Sequence, residues 1–491
     1  MLGKNIFTAV LATESSSNSA LARSVLLVKF NSRNRNTFLP IHLPAECILF
    51  PGRRRAAEGR RQRDLPSTSS GFCDILGVIK PNVDTVYSRV VLDLSKQDLV
   101  LTIPNITDRY WVYPVYDPFG NVIAEIGAVN NNTGGECLIR RADDVYAAPR
   151  FEASTPIHIS LEGYQGIVNK PSTYGTMLVR LLVIQNTTEG LSIIRGYQNA
   201  IKLALNGSFL GIDSPAQQLE FAARMVPYTQ AVAYSIRFRV ASILSQAGLY
   251  NGHYHQPREV NLTTAGAIAN SSSTLQRQSS DAIQQQGNGW TLQRDAYQGN
   301  YGTNYATAAY VALVGYRQLT RHQALYPELE GRGFSSVFQL EPNASLLVTL
   351  SGRPRLKEAG FWSLTVYSAN QYLKPNVLDR YVVSDRTFSS TFQHSGKLVY
   401  GPDADEQEDG AFQILLQPAD LPPPKNWTSN WLPVERDFSV ILRFYFPESS
   451  TLHGTYVYPR VENSIAIVYG LKPDERSKVE RRFRARVERR R

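Results

Sequence analysis

The sequence predicts a mainly β protein with a helical insert. Short runs rich in Val, Tyr, Thr and Phe, broken by Pro, Asn, Asp and Gly, recur at a spacing of roughly ten to twelve residues from Val78 to Gln185. Runs of the same kind return from Phe334 to Val461. Between the two blocks apolar residues recur at three- and four-residue intervals, the period of a helix. The 26 tyrosines suit half-buried sheet surfaces, and 43% apolar with 19% charged residues is a globular balance. The expected order is a disordered or non-family segment over 1–75, an antiparallel β N-terminal domain with a helical middle over 76–330, a jelly-roll-like C-terminal β-sandwich over 331–465, and a basic tail over 466–491.

Each element has its own reason. "PGRRRAAEGRRQRDLPSTSS" (51–70) is basic, of low complexity and without hydrophobic periodicity, so it should not pack. "TVYSRVVLDLS", "LVLTIPN", "RYWVYPVYD" and "NVIAEIGAV" read as a meander of antiparallel strands, which "PIHISLEG" and "TYGTMLVRLLVIQ" extend. "GLSIIRGYQNAIKLAL" (190–205) and the stretch 214–249 read as helices. Ser214 is the N-cap, Pro215 the first helical residue, Pro227 a break and Gly248 a stop. Further helices are expected over 267–287 and 303–322. Eight strand-like runs follow from Phe334. In "FSVILRFYFP" one face should hold Phe438, Val440, Leu442 and Phe444, and the other Ser439, Ile441, Arg443 and Tyr445.

The net charge of +10 sits at the ends. Residues 1–65 carry 11 basic against 4 acidic residues and 471–491 carry 10 against 4, whereas the middle has 31 against 34. A nucleic-acid binder carries its basic face on the folded body, so no nucleic-acid partner is expected. Cys47, Cys73 and Cys137 form no disulfide framework and no metal spacing. Three thiols are the first expectation and a Cys73–Cys137 bridge the alternative. No apolar run reaches 18 residues, so no membrane span is expected. Eight N-x-[ST] sequons, at Asn105, Asn131, Asn186, Asn206, Asn261, Asn270, Asn343 and Asn426, point to a secreted or secretory-pathway glycoprotein, although the N-terminus holds no clear signal peptide.

Several motifs taken together carry a resemblance. "KPNVDTVYSRVVLDLSKQDLVLTIPNITDRYWVYPVYDPFGNVIAEIG" resembles the signature stretch of the family called domain of unknown function 1254. "GFWSLTVYSANQYLKPNVLDRYVVSDRT", followed by "NWLPVERDFSVILRFYFP", resembles its usual companion, domain of unknown function 1214. "GNYGTNYATAAYVALVGYRQLTRHQALYPEL" is similar to the segment that often joins them, so the likeness covers about residues 76–465. The resemblance implies a β-rich two-domain protein with a helical insert and brings no established activity. Family members usually place a helical segment ahead of the PN-x-DT-x-Y motif, and residues 1–70 do not match that.

Two polar motifs stand out as candidate sites. In Pro81–Tyr87, Asn82 and Asp84 share one side of an extended chain, and Thr85 and Tyr87 the other. They either cap a turn and start a strand, or line a pocket with Asp84 as acid/base and Tyr87 as donor. In 376–381, Asn376, Asp379, Arg380 and Tyr381 follow a turn. Arg380 either stitches a sheet together, which is the first expectation, or grips an anionic ligand in its planar fork. Trp362, Trp427 and Trp431 are core residues first and a ligand groove second.

His253 and His255 share a strand face but lack a third ligand in sequence, so no metal is expected. No nucleophile elbow, P-loop or dinucleotide fingerprint occurs, so no cofactor is expected. The leading functional expectation is a protein that binds a small molecule or glycan at a pocket between two β domains, with Asn82, Thr85, Trp362, Asn376, Tyr381 and Trp431 as ligand contacts. The alternatives are a hydrolase- or isomerase-type enzyme using Asp84, Tyr87 and Arg380, and a structural cell-surface protein.

Overall fold

A computed structural model describes residues 80–95, 98–142, 163–201, 215–228, 231, 234–258, 260–265, 268, 271, 275, 279–302, 304–314, 317–330 and 337–469. The expectations for 1–75, for "PIHISLEG", for most of the basic tail and for Cys47, Cys73, Asn206 and Asn270 lie outside the described residues. The chain divides into two compact units that interleave in sequence. The first contains Asp84–Ser279 and Asp295–Thr320. The second contains Val78–Val83, Ser280–Arg294 and Arg321 onward.

In the first unit the strands are β1 (Thr85–Asp93), β2 (Leu99–Ile103), β3 (Trp111–Tyr116), β4 (Val122–Gly127), β5 (Gly135–Arg141), β6 (Gly166–Lys170) and β7 (Tyr174–Leu182). They form two sheets, ordered β1-β7-β3-β4 and β2-β5-β6. The expected meander is therefore split. β1 and β2 adjoin in sequence yet lie in different sheets, and β5 pairs β6 in parallel. The reason is burial. Val86, Val90 and Leu92 alternate on β1, as do Trp111, Tyr113 and Val115 on β3 and Met177, Val179 and Leu181 on β7. These rows close one core against Leu99, Leu101, Ile103, Cys137, Ile139 and Val168 of the second sheet. Cys137 is a buried free thiol in that core.

Helix α1 (Thr188–Ala200) adds Leu191 and Ile194 to the core. It is capped by the Thr187 hydroxyl, which accepts from the Gly190 N–H at 3.1 Å. Helix α2 (Pro215–Met225) stops two residues before Pro227, which lies in the 3₁₀ turn Val226–Tyr228. Helix α3 (Arg237–Gln246) ends at Gly248, whose φ of +91° only glycine adopts without strain. A Cβ there would also stand 2.0 Å from the His255 carbonyl oxygen. A short hairpin, β8 (Leu249–Tyr250) with β9 (His253–Tyr254), follows.

In the second unit one sheet runs β10 (Ile283–Gly287), β11 (Trp290–Gln293), β13 (Glu328–Leu329), β20 (Asp437–Pro447), β16 (Leu356–Ser368), β17 (Val382–Ser384). The short β12 (Ala324–Leu325) and β14 (Phe338–Gln339) also pair with β20. The other sheet runs β19 (Trp431–Val434), β18 (Phe412–Pro418), β15 (Ala344–Leu350), β21 (Arg460–Ile465). One apolar core joins them. It includes Trp362, Leu364 and Val366 of β16, Phe438, Val440, Leu442 and Phe444 of β20, and Leu346, Val348, Ile414 and Leu416 of the opposing sheet. The alternation expected for 438–445 is the one observed.

Two expectations for the middle are corrected. Residues 283–287, expected in a helix, form strand β10, because Gly287, Asn288 and Gly289 take φ of +84°, +52° and +82° and turn the chain back into β11. The helix expected over 303–322 spans Tyr305–Val314. Beyond it Arg317 turns left-handed at φ +63°.

Candidate functional site

Each unit has a sheet with one apolar and one polar face, and the polar faces are buried too. Paired residues on neighbouring strands share a face. In the first unit the pairs Thr85↔Leu182, Tyr87↔Arg180 and Val91↔Thr176 put Thr85, Tyr87, Arg180 and Thr176 on the side away from the core. Tyr116↔Thr176 and Pro114↔Glu125 add Tyr116 and Glu125 to it.

The segment after Asp295 lies against this face. Arg180, 4% exposed, donates through Nη2 to the Arg317 carbonyl oxygen. The Tyr116 hydroxyl donates to the same carbonyl at 3.1 Å, and the Arg317 guanidinium stands 5.3 Å over the Tyr116 ring. Glu125 accepts from the Thr320 N–H at 2.8 Å and from the Thr320 hydroxyl. Burial pushes the Glu125 carboxyl above the usual carboxylate range, against those two bonds and the Arg180 charge. The hydroxyls of Thr85 and Thr176 are buried with no hydrogen-bond partner among the described residues.

In the second unit the polar face of β16 and β20 carries Phe361, Ser363, Thr365 and Tyr367 beside Tyr445, Arg443, Ile441 and Ser439. Ser384 of β17 pairs Ser363 and joins the face. The registers Leu325↔Phe444 and Glu328↔Ile441 set Tyr326 opposite Arg443, and its ring meets Tyr445 edge-on at 6.3 Å. Arg443 donates to the Thr365 hydroxyl at 3.2 Å and to the Lys80 carbonyl at 2.8 Å. Lys80 pairs with Glu328 at 2.6 Å, and Arg386 with Asp385 at 2.6 Å. The Arg386 guanidinium lies 4.6 Å over the Phe361 ring. Ser363, 0% exposed, and Gln293, 7% exposed, have side-chain polar atoms with no hydrogen-bond partner among the described residues.

The residues singled out from the sequence divide between the units. Asp84, Thr85 and Tyr87 belong to the first; Asn82, Trp362, Asn376, Arg380, Tyr381 and Trp431 belong to the second. Thr85 and Tyr87 reach the polar face, Tyr87 directly across from Arg180. Asp84 precedes β1, and its carbonyl accepts from the Val183 N–H at 2.8 Å. Asn82 is 1% exposed, one residue beyond Pro81, whose carbonyl accepts from the Tyr367 hydroxyl at 2.7 Å.

Arg380 Nη1 donates to the carbonyls of Thr428, Ser429 and Trp431 at 2.7, 3.1 and 3.0 Å, which is stitching of one loop to another. Asn376 closes its turn by accepting from the N–H groups of Leu378 and Arg380, and Tyr381 donates to Asp379 at 2.6 Å. The indoles of Trp362 and Trp431 are buried, donating to the Tyr400 hydroxyl and the Gln417 carbonyl, both at 3.0 Å. Glu220 of α2 comes 2.9 Å from His253 Nδ1, a partner the spacing did not reveal. Among the described residues no His, Cys, Asp and Glu cluster has the geometry of a metal site.

Arg180, Glu125, Ser363 and Ser384 were missed in the sequence. Their signal was a lone polar residue at an alternate position of an otherwise apolar strand, as in "TMLVRLL" and "FWSLTVY".

Comparison with known proteins adds fold and family. The profile described as "Protein of unknown function (DUF1254)" matches residues 66–204, and that described as "Protein of unknown function (DUF1214)" matches 339–449. No curated protein matches the chain. Among solved structures, the VPA0106 protein of Vibrio parahaemolyticus is similar at a TM-score of 0.51 and 16% identity, over 78% of this chain and 89% of that one. An uncharacterised protein of Burkholderia cenocepacia aligns at a TM-score of 0.37 and 12% identity, over 79% of this chain and 78% of that one. The first likeness concerns the fold alone.

Proposed function

We propose, for a chain that carries in order a domain of unknown function 1254 and a domain of unknown function 1214, that it binds a small polar molecule of the size of a sugar. The observation that carries the reading is the buried polar face of the second unit. There Ser363 and Gln293 hold hydrogen-bonding atoms away from water with no partner among the described residues. Such groups cost about 1–3 kcal/mol each when left unpaired, and a polar ligand offsets that cost. The aromatic stack of Phe361 on Tyr445, with ring centroids 4.1 Å apart, gives the face a flat wall. A purely catalytic use of Arg380 has less support, because its Nη1 is engaged by three carbonyls.

Thermal unfolding of the full chain in the presence of neutral sugars, sugar acids, amino acids and nucleosides tests the reading. A ligand at about a hundred times its Kd should stabilise by about 2.7 kcal/mol, a shift of several degrees. If no compound of any class moves the midpoint, the reading is wrong.

A secretory location is a second part of the proposal. All six sequon asparagines among the described residues, Asn105, Asn131, Asn186, Asn261, Asn343 and Asn426, are exposed, which supports access by the glycosylation machinery. Expression through a eukaryotic secretory host should give a mass that falls on treatment with an endoglycosidase; an unchanged mass counts against it.

A further inference from the structure

The sequence contains three Asn-Gly pairs, and the structure sets two of them apart. Asn206-Gly207 lies outside the described residues. Asn251-Gly252 closes the β8–β9 hairpin, and Asn288-Gly289 closes β10–β11. The two turns share one backbone conformation. φ is +53° and +75° at Asn251 and Gly252, and +52° and +82° at Asn288 and Gly289, the left-handed pair of a type I′ turn. Both asparagines are exposed. What differs is how each turn is held.

The Asn288 turn is anchored. Its Nδ2 donates to the Tyr458 carbonyl at 2.7 Å, and the Gly289 carbonyl accepts from the Glu330 N–H at 2.8 Å. The next residue, Trp290, is buried, and its indole donates to the Pro459 carbonyl at 2.8 Å. β11 also pairs with β13 in the eight-stranded sheet.

The Asn251 turn is held only at its base. β8 and β9 have two residues each and form a sheet of their own. Glu220 accepts from the Tyr254 N–H at 2.7 Å and lies 2.9 Å from His253 Nδ1. At the tip, the Asn251 side chain has no hydrogen bond among the described residues, and the space where a Gly252 Cβ would stand is open. A lone two-stranded hairpin is marginal in water, so this tip opens at low cost.

An open Asn-Gly tip is reactive. The Gly252 nitrogen loses its proton to hydroxide and attacks Cγ of the Asn251 side chain. The N–Cγ bond forms, the Cγ–Nδ2 bond breaks, and Nδ2 leaves as ammonia, which closes a cyclic imide. Water then opens the ring at the side-chain carbonyl to give aspartate, or at the main-chain carbonyl to give isoaspartate. The sum is amide plus water to carboxylate plus ammonia, with no change of oxidation state. Glycine favours the attack because no Cβ shields its nitrogen and its backbone turns freely.

We propose that Asn251 is a site of spontaneous deamidation in the folded protein, and that Asn288, in the same motif and the same turn, is protected. Either product puts a carboxylate two residues from His253, which already faces Glu220. Isoaspartate also adds a main-chain carbon to a two-residue turn, so the pairing of Tyr250 with His253 is lost. The proposal is independent of the small-molecule reading.

The test ages the full chain at mildly alkaline pH, folded and in guanidinium chloride, and maps its peptides by mass spectrometry. Deamidation adds about 1 Da, and chromatography separates the two products. In the folded protein the Asn251 peptide should convert at least about tenfold faster than the Asn288 peptide, because Asn288 must first give up a hydrogen bond and its place in a larger sheet. In denaturant the two should convert at similar rates. A smaller ratio in the folded protein overturns the proposal. So does a ratio that persists unchanged in denaturant, since it would come from flanking residues and not from the hairpins. Silence at Asn251 over the time in which the denatured chain converts it overturns it as well.

Discussion

Trp362→Ala is expected to lower the unfolding free energy of the protein by about 3–5 kcal/mol, the cost of truncating a buried aromatic. Trp362 is 1% exposed and lies in the core that joins the two sheets of the second unit. Its ring centroid is 6.1 Å from that of Tyr400 and 6.2 Å from that of Phe412, and its indole N–H donates to the Tyr400 hydroxyl. Truncation opens a cavity between Phe412 and Leu364 and removes the indole partner of a phenol that burial already holds above its ordinary pKa. Trp362→Phe keeps most of the volume and loses only the hydrogen bond and part of the ring, so it should cost less than half as much. Urea midpoints of the two variants against the parent check the ordering. The outcome separates the two uses of this tryptophan foreseen in the sequence. A ring lining a ligand groove would leave stability within about 0.5 kcal/mol and change binding, and that result would contradict the core assignment.

Much of this arrangement is legible in the sequence, and the parts that are not share a cause. The alternation in "FSVILRFYFP" gave the faces of β20, because a strand with a period of two displays both sides in its own sequence. Pro215, Pro227 and Gly248 marked helix starts and stops for the same local reason. The strand at 283–287 was misread, although Asn288-Gly289 is a local hairpin signal, because the preceding Ser- and Gln-rich stretch has spacings that also fit a helix. The polar faces are a different matter. Tyr87 meets Arg180 only because β1 pairs with a strand some ninety residues on, and Ser363 meets Arg443 across a separation of eighty. Sequence spacing holds no record of such pairings. The motif 81–87 stands out as polar residues where a loop meets a strand, and its Thr85 and Tyr87 do lie on a polar face, but the arginine and carboxylate that share the face are scattered singly through apolar strands.

The Lys170 side chain shows how far such a burial carries into a measurable property. Lys170 closes β6 at 0% exposure, with Nζ donating to the Ser172 hydroxyl at 2.7 Å and to the Tyr174 carbonyl at 2.6 Å. Gly175 leaves it room, since a Cβ there would stand 2.5 Å from Nζ. Burial pushes the amine down to about 7 from 10.5, and the Asp117 charge opposes this only in part. Asp117, which accepts from the N–H groups of Phe119 and Asn121 and from the Asn121 side chain, is shifted the other way by its own burial.

The sign for Lys170 follows from proton counts. Between about pH 7 and 10.5 the unfolded chain keeps a proton that the folded lysine has released, so stability rises with pH across that window. Below it the folded state bears the full cost of a buried ammonium. The raised Asp117 carboxyl works with the opposite sign, in a window that opens at its ordinary value of 3.8, where stability falls as pH rises. Replacing Lys170 by methionine deletes the titration and leaves the Tyr174 carbonyl its bond from Ser172 at 2.8 Å, so the variant should fold. Urea unfolding at about pH 7, 8 and 9 should show the parent gaining roughly 2 kcal/mol more than Lys170→Met across the series, since each unit of pH within the window is worth up to 1.36 kcal/mol. Groups that do not feel the Lys170 charge cancel in that difference. Asp117 does feel it, and losing that charge raises its carboxyl further, which adds to the difference with the same sign. Parallel pH profiles would mean that Lys170 titrates near its ordinary value and is reached by water in the folded protein.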